Sequence, residues 1–194
     1  MQVSKPHRFS IDALNKADNS QAAAIMDRIV ERSTWLAYRA AAARPFRDVN
    51  DLANWLETEV RSLSHGEALE LLCAHPELSP PNPTTMTQAS QREQDRLHLV
   101  DPDKDTAKRL TDLNKRYLRR HGYPFVVALH AQHDVDDVIA QFEQRLVADP
   151  DKELNRSLGE VVSVMQARLA EVSGDITKSG PANSSPNKAR QVRP

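Results

Sequence analysis

Apolar residues return every three to four positions in segment after segment of this chain, the spacing that lines them up along one face of a helix. Ala22, Ile25, Met26, Ile29 and Val30 form one such stripe, which Asn19 or Ser20 would cap. Leu36, Ala40 and Ala43 continue the pattern until Pro45 stops it. Leu52, Trp55, Leu56 and Val60 follow a cap at Asp48, and a Ser64–Glu67 capping box precedes Ala68, Leu71 and Leu72. Asp101 as cap, Pro102 in the first turn and Gly122 past the end frame Ala107, Leu110, Leu113 and Tyr117. Val135, Val138, Ile139, Phe142 and Leu146 make a further stripe, and Leu154, Leu158, Val161, Met165 and Leu169 the last. One short apolar run, Phe125 to Leu129, reads as extended.

The stripes predict an all-α fold, a single compact domain of about eight helices over residues 1–172. After Val172 the chain turns to Gly, Ser, Pro and Asn with almost no apolar residue, so 173–194 is expected to be a disordered tail.

Charge and composition narrow the function. The chain is 27% charged with a formal net charge of -1, which argues against a nucleic-acid surface or a polybasic membrane anchor. No apolar run approaches the roughly 18 residues that span a bilayer, so no membrane association is expected. The start, MQVSKPHRFS, lacks the apolar stretch of a signal peptide, and the end, QVRP, is no peroxisomal address. Cys73 is the one cysteine, as suits a reducing compartment, and a cytoplasmic location is expected. Five glycines leave no Gly-rich phosphate loop. His130 and His133 have metal-like spacing but no supporting cysteine or further histidine, so no metal is expected.

Polar residues in three places break the apolar pattern. His75 extends the stripe 68–71–72 to the point where Pro76 ends the helix. It reads either as a partly buried core histidine or as an acid whose proton the helix-end carbonyls favour. In ASQREQ, Glu93 falls on the face of Met86, Ala89 and Leu97, with Ser90 and Gln94 beside it. Ser90 and Glu93 read either as a capping box or as an inward polar cluster that needs a ligand. Arg168 flanks the last stripe beside Met165 and Val172, either snorkelling or aimed into a pocket that takes a planar anion.

In order, AHPEL, MTQASQREQ, NKRYLRRHGYPFVVA and ELNRSLGEVVSVMQARL resemble the family of 2-oxo-4-hydroxy-4-carboxy-5-ureidoimidazoline (OHCU) decarboxylases. STWLAYRAAAARPF looks like that family's Ser-Pro-Trp…Arg-Pro-Phe segment, and the resemblance covers residues 8 to 172. It implies a compact all-α homodimer that forms (S)-allantoin in urate degradation, on a small-molecule substrate and with no metal or organic cofactor. It implies His75 as the catalytic acid, with Glu93 also catalytic. Pro76, Ser90, Gln91, Arg92, Gln94, Phe125, Val126, Val127, Ala128, Leu129 and Arg168 would bind substrate. Thr34 stands where the family often has proline, the 129 to 134 loop lacks a glycine, and the tail is long. A non-catalytic helical interaction module, or a lyase for a related ureido acid, are the rival readings.

Overall fold

The computed structural model describes residues 9–173. These form nine α-helices: α1 (Ile11–Lys16), α2 (Asn19–Met26), α3 (Thr34–Ala42), α4 (Val49–Arg61), α5 (His65–Cys73), α6 (Gln88–Asp95), α7 (Lys104–His121), α8 (Val135–Leu146) and α9 (Pro150–Ser173). Short 3-10 turns lie at Pro83–Thr85 and Leu129–Ala131. The count exceeds the expected eight because of α1, a short helix that buries only Leu14 and so leaves no stripe. Of the expected tail only Ser173 falls within the described residues, as the last residue of α9.

The helix starts follow capping chemistry, with shifts of one or two residues from the sequence reading at α2 and α7. Asp18, not Asn19 or Ser20, caps α2, and Gln21 completes its box. Asp103, not Asp101, caps α7. The Ser64–Glu67 box opens α5 as expected. There the Ser64 hydroxyl and backbone N–H, with help from Arg39, hold the Glu67 carboxyl down to about 2. Gly122 ends α7 at φ 83, in the left-handed region that glycine adopts at no steric cost.

The α2 stripe does not continue as helix. It stops at Met26, and Ile29 and Val30 reach the core from the turns that follow, while Ile25 is only partly buried. Ala43 caps α3 and is exposed. Trp55, Ala107, Val135 and Leu154, expected on their stripes, are only partly buried, whereas Leu36, Leu52, Leu56, Val60, Leu71, Leu72, Leu110, Tyr117, Phe142, Val161 and Met165 are all buried. Each large aliphatic or aromatic side chain there contributes about 1.5–3 kcal/mol of hydrophobic stabilisation.

The longest helix, α9, packs against α4, α5 and α7, while α2 pairs with α3 and α7 with α8. No described helix is long and apolar enough to cross a membrane. Residues 124–128 form no helix, Ala128 at their end is extended (φ -73, ψ 91), and no strand forms among the described residues. A buried segment without helix or sheet must find other partners for its backbone groups. Arg145 of α8 donates from Nη1 to the Val126 carbonyl (2.9 Å), and Glu160 of α9 accepts the Ala128 N–H (2.8 Å). The next loop is held by Arg96, which donates to the Leu129 carbonyl and to that of Gln132 (3.0 Å).

Candidate active site

The end of α5, the inner face of α6, the 125–129 segment and the C-terminal half of α9 converge on one cavity. His75, Pro76, Ser90, Glu93, Gln94, Phe125, Val126, Val127, Leu129 and Arg168 line it, joined by Leu78 and Val164. Three expected site residues do not. Gln91 and Arg92 sit a quarter-turn and a half-turn around α6 from Ser90, since each residue advances about 100°. Gln91 donates to the Met86 carbonyl (3.1 Å) and Arg92 is exposed. Ala128 is buried, with its N–H on Glu160.

His75 follows Ala74, the C-cap of α5. Its backbone N–H donates to the Leu72 carbonyl (3.1 Å), and its Nδ1 is 2.9 Å from the Leu71 carbonyl. A carbonyl only accepts, so Nδ1 carries the proton and Nε2 is the lone-pair nitrogen. His75 is 7% exposed. Burial pushes its pKa below the ordinary value, against the Leu71 carbonyl and the charges of Glu31 and Glu93, and with Arg168 adding to the fall. The helix-end carbonyl acts in the expected direction, but desolvation outweighs it, and the resting imidazole is neutral.

Arg168 is buried at 6% exposure and joins three elements. Its Nε and Nη2 meet the two Glu93 oxygens at 2.7 and 2.8 Å, a bidentate pair. Its Nη1 reaches Glu31 Oε2 at 2.5 Å, and Nη2 also meets the Ser90 hydroxyl at 3.4 Å. Burial opposes the guanidinium charge, yet the bonds to Glu93 and Glu31 more than offset it and hold the pKa above its usual value. The arginine is thus neither snorkelling nor free: it stitches α6 to α9.

The face of α6 is polar where it is buried. Ser90 and Gln94 are buried and Glu93 partly so. The capping-box alternative is excluded, because Thr87 caps α6 and its hydroxyl accepts the Ser90 N–H (3.2 Å). Gln94 accepts from the Ser79 N–H (2.8 Å) and donates to the Glu77 carbonyl (3.0 Å). Its amide therefore clamps the loop that carries Pro76 and Leu78 over the cavity.

A second buried cluster backs the cavity wall. Arg145, fully buried, bonds Glu153 (2.7 Å) and Ser157 (3.0 Å), and its guanidinium carbon lies 4.4 Å from the Phe125 ring centre. Tyr117 donates to the same Glu153 oxygen at 2.5 Å, and Phe125 stacks on Phe142 at 3.9 Å. His130 and His133 are exposed, and no group of three or more His, Cys, Asp or Glu side chains suited to a metal occurs among the described residues.

Sequence reasoning missed Glu31, Leu78 and Val164. Val164 was within reach, since it lies one turn before Arg168 on the same face. Glu31 carried no signal, because its inward path depends on a turn that the sequence presents as helix.

An all-α fold that gathers a neutral imidazole, a carboxylate and a guanidinium around one cavity, with a second carboxylate paired to the same guanidinium, has the groups of an acid–base enzyme. Residues 15–170 match the OHCU decarboxylase family model, and the chain belongs to that family of carboxy-lyases. The OHCU decarboxylase of Haloferax volcanii is 32% identical over 165 residues, covering 85% of this chain and 96% of that one. The mouse OHCU decarboxylase is 32% identical over 163 residues, covering 83% and 91%. A crystal structure of (S)-allantoin synthase shares the fold at TM-score 0.62 and 22% identity, over 84% of this chain and 54% of that one. So does an OHCU decarboxylase crystallised in the presence of (S)-allantoin, at TM-score 0.61 and 15% identity, over 79% and 99%.

Proposed function

We propose that this enzyme decarboxylates OHCU to (S)-allantoin in urate degradation, with His75 and Glu93 as its catalytic residues. The observation that carries the reading is the convergence of His75, Ser90, Glu93 and Arg168 on one cavity, in a chain of this family.

The chemistry follows from the groups. The substrate carboxylate leaves as carbon dioxide, and the electron pair of the broken carbon–carbon bond moves into the adjacent ring carbon–nitrogen double bond. That nitrogen takes one proton from solvent. The neutral His75 accepts the proton of the hydroxyl on the carbon that lost carbon dioxide, and this carbon becomes a carbonyl. As an imidazolium, His75 then acts as the acid and returns that proton to the neighbouring carbon. Delivery from one face sets one enantiomer, which requires a fixed ring and a fixed substrate. The Glu93 carboxylate, held by Arg168, accepts hydrogen bonds from the hydroxyl or ring N–H groups, and Ser90 adds a hydroxyl. The ring itself is the electron sink, so the reading includes no metal and no organic cofactor. It also includes a homodimer in the cytoplasm, and a catalytic unit that ends near residue 172.

The test couples urate oxidase and hydroxyisourate hydrolase to this protein and follows allantoin by circular dichroism. The expected result is rapid growth of the (S)-allantoin signal, absent without the protein. An unchanged rate and a racemic product would overturn the reading.

A further inference from the structure

Glu31 and Arg32 both adopt the left-handed backbone region, at φ 36 and φ 51, which side-chain-bearing residues rarely enter. The two side chains go opposite ways. Glu31 turns inward, is 2% exposed, and meets Arg168 Nη1 at 2.5 Å. Arg32 stays exposed and donates to the carbonyl of Thr85. The Glu31 carboxylate also accepts from the Thr87 hydroxyl at 3.1 and 3.3 Å, and Thr87 is the cap of α6. Two consecutive residues thus grip the segment that leads into α6, at Thr85 and at Thr87, and one of them also grips α9. Strain of this kind persists where the surroundings demand it, and it clusters at working sites.

We propose that Glu31 is a positioning residue, which fixes Arg168 and the start of α6 so that the Glu93 carboxylate is aimed into the cavity. The inference rests on the reaction assigned to this site. Arg168 touches Glu93 through Nε and Nη2, and Glu31 takes Nη1, so the fork cannot rotate without breaking one pair. When Glu93 turns to substrate, Glu31 keeps the guanidinium in place. The same carboxylate belongs to the charge environment of His75. The groups around that ring are Glu31 from the turn after α2, Glu93 of α6 and Arg168 of α9, with Glu77 and Arg32 in the outer hollow that shares His75 and Pro76. Glu31 supports the protonated imidazole, so its removal lowers the His75 pKa further.

Two variants separate charge from reach. Glu31→Gln keeps the length and removes the charge. It should fold, lose kcat by about tenfold or more with a smaller change in KM, and shift the acid limb of the pH profile to lower pH. Glu31→Asp keeps the charge but is one methylene short of Arg168. It should also lose kcat, with the acid limb close to wild type. A wild-type kcat in folded Glu31→Asp would overturn the proposal, and so would a wild-type kcat and acid limb in Glu31→Gln. If Glu31→Gln does not fold, Glu31→Asp decides. An NMR titration of the His75 ring, assigned with His75→Asn, needs no substrate. It should show a lower His75 pKa in Glu31→Gln than in wild type, even if wild type were inactive on OHCU, and an unshifted titration would count against the assigned geometry.

Discussion

At His75, hydrogen bonding and burial pull one imidazole in opposite directions, and burial prevails. The folded pKa lies below the ordinary 6.5, so near and below that value the unfolded chain binds more protons than the folded one. The stability linked to this residue is therefore complete above 6.5 and is lost as pH falls from there. Calorimetry should show the melting temperature of wild type falling more steeply below about pH 6.5 than that of His75→Asn. Activity should persist below the same pH, since the neutral ring survives there. His75→Asn and His75→Ala should fold, because Pro76 still ends the helix, and should lose turnover by a factor on the order of 100 or more. Equal rates of (S)-allantoin formation per folded molecule would remove the proton-transfer role. His75 and Arg168 were legible in the sequence for one reason: each is a polar residue placed on an apolar helical stripe. The neutral resting state was not legible, since it depends on how deeply the ring is covered. Nor was the double engagement of Arg168, because Glu31 arrives from a left-handed turn inside a stretch, IVERS, that reads as helix.

Periodicity located the helices well, because each buries a face, but it located the irregular wall poorly. The 125–129 segment was expected as extended; it forms no helix as far as Ala128, but Leu129 opens a 3-10 turn, and its support by Arg145 and Glu160 comes from bonds spanning 19 and 32 residues, which have no local signature. Arg145→Met should be severe, because it strands the buried Glu153 carboxylate: a loss of about 3–5 kcal/mol is expected for breaking one side of such a pair. Arg145→Met combined with Glu153→Leu should recover much of that loss, as urea unfolding of both variants would reveal. Gly159 offers the opposite case. It sits within α9, and an added Cβ there meets nothing within 4 Å. Gly159→Ala should therefore stabilise the protein by about 0.5–1 kcal/mol through the helix backbone alone, with kcat/KM unchanged.

The described domain closes on itself at its ends: the Phe9 N–H donates to the Val172 carbonyl at 3.2 Å, tying the first described residue to the last turn of α9. Ending the chain after Ser173 should accordingly leave both melting temperature and (S)-allantoin formation near wild type, and a large drop in either would show that residues 174–194 contribute to the domain. The site itself is drawn from widely separated parts of the chain. Arg168 meets Glu93 across 75 residues of sequence and Glu31 across 137. Closing loops of that length becomes favourable only once most of the chain has condensed. Turnover is thus a late event in the life of each molecule: during refolding, helical ellipticity should return first and catalysis last. A nascent polypeptide that has not yet released α9 from the ribosome would be helical, compact in part, and inert.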